Sequence, residues 1–318
     1  GLGDTIAGGR HNLTSNLYPT IGGGAENIAT GLAATVAGGA GNEATASHAV
    51  VGGGLSNRAT ALHATVSGGY ENLGSGTYST VTGGSHNEAA GDDSIASGHQ
   101  ARVAANHSGA FLYANSSNAD FHSAGANEFA VRATGGVRFV TAIDGNGYPA
   151  AGVELAPGSG SWSSHSDHAV KAQLSPVDGS QVLTLLTELP ISTWNYAGQD
   201  PSIRHLGPMA QEFHAAFGLG ESDRHTSAVD ADGVALAAIQ GLYQLVQEKD
   251  ARLASQQRQI EELETRLGAL ERENQTDGSL VSTSPAGTLV GLLLLAGLCL
   301  AAYLVPVLRL RIEKGGMT

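Results

Sequence analysis

The chain has 318 residues, of which 45 are glycine, about twice the usual share. Sixteen basic against 29 acidic side chains leave a formal net charge of −13, and only 14% of the residues are charged. That balance excludes a nucleic-acid binder working through a basic surplus. The single Cys299 excludes disulfide staples and cysteine-based metal sites. The glycine is not collagenous, because no triplet period runs through it. It is also uneven, with 31 of the 45 in residues 1–160.

An internal repeat accounts for the glycine. Asn12, Asn27, Asn42, Asn57, Asn72 and Asn87 stand 15 residues apart, each behind a Gly pair such as Gly53-Gly54 or Gly68-Gly69. Ile6, Ile21, Val36, Val51, Val66 and Val81 keep the same phase, and a worn copy follows at Ser97, Gly98 and Arg102. A 15-residue unit is too short for a helix pair or a propeller blade and fits one coil of a parallel β-solenoid. The Gly pair permits positive φ at a corner, and in-register Asn side chains can form a ladder. Each coil offers one large aliphatic and several Ala or Ser, so its core is thin. Side-by-side association of chains, most simply three, is therefore expected. Residues 1–102 resemble the head repeats of trimeric autotransporter adhesins, although the Gly-Gly-x-x-Asn corner differs from their usual motif. The seven histidines from His11 to His122 fall at different phases and read as surface decoration. No metal or cofactor is expected.

Beyond Phe111 the period stops, and 103–160 reads as a β connector with turns at Gly135-Gly136 and Asp144–Gly147. Ser159–Ser164 reads as a flexible bridge. Next comes Ser166-Asp-His-Ala-Val-Lys171, then Leu206-Gly-Pro-Met-Ala-Gln-Glu-Phe213, then Val229-Asp-Ala-Asp-Gly-Val-Ala-Leu-Ala-Ala-Ile239. In that order the three blocks resemble the endosialidase-type intramolecular chaperone domain at the end of phage tail spikes and fibres, with Ala169 where an Arg is common. The resemblance covers roughly residues 161–275. It implies a domain, placed at 161–240, that helps the upstream fibre trimerise and then cuts itself off. By the same resemblance Ser166 is the nucleophile, Lys171 its base and His165–Ser166 the scissile bond. The chain would then be a Ser-Lys peptidase acting once on itself.

The residues carry part of that chemistry on their own. A Ser hydroxyl needs an adjacent base, and a Lys serves as one only when neutral, which takes burial or a nearby cation. The chain has 13 Arg and three Lys, and Lys171 is the sole Lys before Lys249. An i,i+5 pair points apart on a helix or a strand, so the segment must bend or a partner chain must complete the site. The plain structural reading is that Ser166-Asp167 caps a turn and Lys171 is solvated. A Ser166–His205–Asp230 triad is a third reading, without glycines flanking the Ser. Trp194 reads as part of a core strand.

From Val234 a helical pattern sets in. Ile239, Val246, Leu253, Ile260 and Leu267 recur every seven residues, with Leu242, Leu263 and Leu270 at the second apolar position. This predicts a coiled coil over 236–274, with Lys249 and Gln256 as polar breaks. A linker is expected at 275–285. Residues 286–308 carry no charge, which is long enough for one transmembrane helix, and the basic tail 309–318 places the C-terminus in the cytoplasm. The expected class is mainly β: a parallel β-solenoid, a small α+β chaperone domain, a coiled coil and a membrane span. The expected protein is a homotrimeric, membrane-anchored surface fibre with its head outside and an unidentified surface ligand. The alternative is a non-cleaving stalk or adhesin. An enzyme acting on an external glycan ranks last, because the acidic residues of the repeats are scattered.

Overall fold

The computed structural model describes residues 2–277. It holds two compact units, one ending at Leu174 and one beginning at Ser175.

The first unit opens as a parallel β-solenoid. One sheet has nine strands, from Thr5–Ile6 to Phe129–Arg132, and a second has eight, from Leu13–Thr14 to Phe121–His122. Through the repeats the register advances by one unit per strand, as in Thr20↔Thr35 and Ile28↔Glu43. Each two-residue strand turns one side chain inward. Ile21, Val36, Val51, Val66 and Val81 fill the core from one sheet, and Ala29, Ala44, Ala59 and Ala89 meet them from the other, all fully buried. The core is as thin as the composition implies.

The corners explain both invariants of the repeat. Asn57 is fully buried, and its Nδ2 donates to the Gly53 and Gly69 carbonyls, each at 2.8 Å. Its Oδ1 accepts from the Asn72 backbone N–H at 3.1 Å. The same pattern repeats along the stack and ends where Asn87 Oδ1 accepts from Ala101 N–H at 2.9 Å. Every polar atom of a buried Asn is thereby satisfied across three coils. The second glycine of each pair has a separate reason. Gly54 sits at φ +90°, and a Cβ there would run into the Gly69 carbonyl of the next coil. A side chain at this position would wedge the stack open.

The parallel ladders continue past residue 102, where the connector was expected to begin. Ile95 pairs with Phe111 and Phe111 with Phe129, while Glu88 pairs with Arg102 and Arg102 with His122. The loops between strands change length here, so the sequence period is lost while the strand pairing is kept. Val103, Ala110, Leu112 and Ala114 extend the same buried core. Arg132 ties off this end. Its guanidinium donates to the carbonyls of Ala119 (2.6 Å), Ser117 (3.1 Å) and His99 (3.2 Å) and to Asn115 Oδ1 (3.1 Å), and lies over the Phe121 ring. One planar fork thus satisfies four acceptors from two stretches of chain, His99 and 115–119. Arg132→Ala is expected to destabilise these last coils by about 2–3 kcal/mol. Lys should restore only part of this, because an ammonium cannot span the four acceptors. Amide exchange across 111–132, accelerating while the upstream coils stay protected, is the check.

After the solenoid, β1 (Val137–Ile143) and β2 (Pro149–Leu155) form an antiparallel hairpin. Its turn is closed by Asp144, whose Oδ1 accepts from the N–H groups of Asn146 and Tyr148. A third strand, β3 (Ser163–Ser164), pairs antiparallel with β2. The expected flexible bridge is therefore partly a strand.

The second unit contains α1 (Gly179–Glu188), the short strands β4 (Ser192–Trp194) and β5 (His205–Gly207), α2 (Ala210–Phe217) and α3 (Ala228–Asp277). Leu189, Phe213 and Val234 form its small core, with Val182, Leu186, Ala216 and Phe217 against it. Helix α1 crosses α3 where Gly179 meets Gly241, a contact too close for a Cβ on Gly241. Trp194 is half-buried and lies on the His205 ring at 4.7 Å rather than in the deep core. Helix α3 begins six residues before the expected Val234. Ser227 Oγ accepts from Asp230 N–H at 3.0 Å and caps its start, a Ser-x-x-Asp signal that the sequence does contain. The helix runs unbroken across 236–274, and its repeating apolar residues, from Ile239 to Leu270, are exposed on the single chain. Among the described residues no helix is long and apolar enough to cross a membrane. The expected span 286–308 and tail 309–318, and the expected linker from residue 278 onward, lie outside the described residues.

Candidate active site

The end of the first unit brings Ser166 and Lys171 together. Between them lies one turn of 3-10 helix, His168–Val170, started by Asp167. The Asp167 carboxylate accepts from Ala169 N–H at 2.8 Å, and Lys171 N–H closes the turn on His168 O at 3.3 Å. This bend supplies the condition that a straight segment could not. Lys171 Nζ donates to Ser166 Oγ at 2.7 Å. The capping reading and the pairing reading are thus both present, because Asp167 makes the turn that joins its neighbours. Ser166 and Lys171 are exposed on the single chain, and His165 is half-buried.

The other expected candidates are engaged elsewhere. His205 Nε2 contacts Gln199 Oε1 at 2.9 Å and its ring packs on Trp194, while Asp230 lies in the first turn of α3. In the β4–β5 connection, the Asp200 carboxyl is held below its ordinary range, first by the Ser202 backbone N–H and then by the Ser202 hydroxyl. The repeat histidines line the solenoid surface. His48 stacks on His63 at 4.8 Å and His63 on Tyr78 at 5.1 Å, one ring per coil. His86 Nε2 lies 3.1 Å from the Glu71 carboxylate. Glu71 also raises the Tyr70 phenol above its ordinary value, by hydrogen bonding first and by charge second.

Around His165, three residues drew no functional reading from the sequence: Gly152, Trp162 and Phe139. His165 N–H donates to Gly152 O at 3.2 Å, and Trp162 contacts the Phe139 ring at 5.6 Å. The one available signal was an aromatic residue inside a Gly/Ser run.

Residues 166–218 match the family described as chaperone of endosialidase. The matched segment starts at Ser166 and ends at Gly218, the left-handed C-cap of α2. It contains the Ser166–Lys171 pair and the Leu206–Phe213 block, whose Phe213 lies in the core of the second unit. No curated protein matches the chain.

Proposed function

We propose that this chain is a trimeric fibre protein of the tail-fibre type. The solenoid is its projecting head, the chaperone segment drives assembly, and Ser166 with Lys171 cuts the His165–Ser166 bond. The contact that carries the cleavage step is the 2.7 Å approach of Lys171 Nζ to Ser166 Oγ, at the first residue of the family match. Ser166 Oγ adds to the His165 carbonyl carbon as its proton passes to a neutral Lys171 amine. The C–N bond breaks, the Ser166 nitrogen takes that proton, and His165 is left esterified to Ser166 Oγ. One water hydrolyses the ester to a His165 carboxylate and a free hydroxyl.

Trimerisation is supported by the exposed stripe on α3. Ile239, Leu242, Val246, Leu253, Ile260, Leu263, Leu267 and Leu270 each keep roughly half or more of their surface in water. Burying each in a coiled coil contributes about 1.5–3 kcal/mol. The uncharged run 286–308 anchors the fibre in a membrane, with the basic tail on the cytoplasmic side and the head outside. The competing reading, a non-cleaving stalk, has one observation in its favour: both members of the pair are open to solvent on a single chain.

Intact-mass and native-mass measurement separates the two. Wild type should yield fragments 1–165 and 166–318, and Ser166→Ala one uncut chain, both as trimers. Identical patterns would sink the cleavage claim, and a monomer would sink the fibre.

A further inference from the structure

The scissile bond is the junction between two separately anchored pieces of chain. On its amino side lies the Asp167-capped turn that carries Lys171. On its acyl side lies β3, paired on β2 through Glu154↔Ser163 and Val153↔Ser164, with His165 N–H continuing the pairing onto Gly152 O. We propose that the β1–β2 hairpin is the substrate cradle of the self-cleavage reaction, with Trp162 on Phe139 as its side-chain anchor. This rests on the cleavage reading above and names the residues that set its geometry.

The physical need is specific. In an attack by Ser166 Oγ on the carbonyl just before it, nucleophile and target are never far apart. What must be fixed is the rotation about the bonds flanking the peptide. The preceding run Gly158-Ser-Gly-Ser161 imposes little on them. Strand addition supplies the missing constraint, because main-chain hydrogen bonds hold the backbone and alternate side chains find their pockets. Here a ring contact on the open face of the sheet takes the place of a pocket. Trp162 lies 5.6 Å from Phe139 across the hairpin, four residues before Ser166. Gly152, the acceptor for His165, sits at φ +143°, and a Cβ there would collide with the Phe139 carbonyl. Only glycine lets β1 and β2 close at the level where the scissile residue docks. Loss of the anchor frees the acyl side while leaving Ser166 and Lys171 in place, so Trp162 is a positioning residue.

The test follows the rate of chain splitting in full-length protein, with amide exchange over 162–166 in the uncut Ser166→Ala chain. Trp162→Ala should split roughly tenfold or more slowly than wild type while remaining trimeric. Trp162→Phe, which keeps a ring for Phe139, should recover most of the rate. In the Ser166→Ala background, exchange at Ser163–His165 should be slow and should accelerate when Trp162 becomes Ala. Splitting of Trp162→Ala at the wild-type rate would overturn the cradle and leave the Ser-Lys pair standing. An uncut wild-type chain would overturn the cleavage reading and the cradle together.

Discussion

Asn57→Asp should unfold the centre of the solenoid, a loss of about 4 kcal/mol or more. The substitution is nearly isosteric, so the effect is electronic. Asn57 gives its two amide hydrogens to Gly53 O and Gly69 O at 2.8 Å. A carboxylate has no hydrogen to give, and the oxygen that replaces Nδ2 faces both carbonyls, while the other still accepts from Asn72. The residue is fully buried, so no water relieves the repulsion. Protonation would return one donor where two are needed. Because coils contact only their neighbours, the damage should spread along the stack as a local opening. Far-UV circular dichroism melting gives the loss, and amide exchange in the coils on either side locates it. Asn12→Asp is the internal control. Asn12 makes equivalent bonds to Gly8 O and Gly24 O but is only half-buried at the end of the ladder, so its loss should be well under half as large.

This comparison also shows what could be read from the sequence. The spacing of Asn12 to Asn87 fixes the coil length, and the Gly pair marks the corner. Neither discloses that the first glycine's carbonyl accepts from the Asn while the second makes room for the next coil. The coils beyond residue 102 were hidden because strand pairing needs only two residues per strand and tolerates loops of any length. Ile95 to Phe111 and Phe111 to Phe129 step by unequal intervals, yet they pair in one ladder. Arg132 was equally silent, since its acceptors are backbone carbonyls. At the site, Ser166 and Lys171 were legible as residue types and spacing, and the need for a bend followed from helix and strand geometry. The strand at Ser163–Ser164 was not, because serines have weak strand preference and the pairing is imposed by β2.

The second large effect concerns Lys171. Lys171→Arg should leave an uncut chain, with splitting slowed by roughly 10²–10⁴-fold, the usual worth of a positioned general base. The substitution keeps the charge, the reach and the capacity to donate to Ser166 Oγ. It removes only the ability to give up a proton and take one from the hydroxyl. A purely structural role for Lys171, holding the Ser166 side chain against the turn, is therefore preserved in the Arg variant and lost in Lys171→Met. If Lys171 is the base, Arg and Met fail alike. If it is a brace, Arg still cuts and Met does not. The contrast is sharpened by the pair's exposure on one chain. A neutral lysine requires a site drier than the surface of a single chain, and in this proposal the neighbouring chains of the trimer supply the cover. Cutting should then follow assembly in time, with native mass showing uncut trimers before any fragment. Fragments that appear from monomers ahead of trimers would show that the pair needs no partner chain.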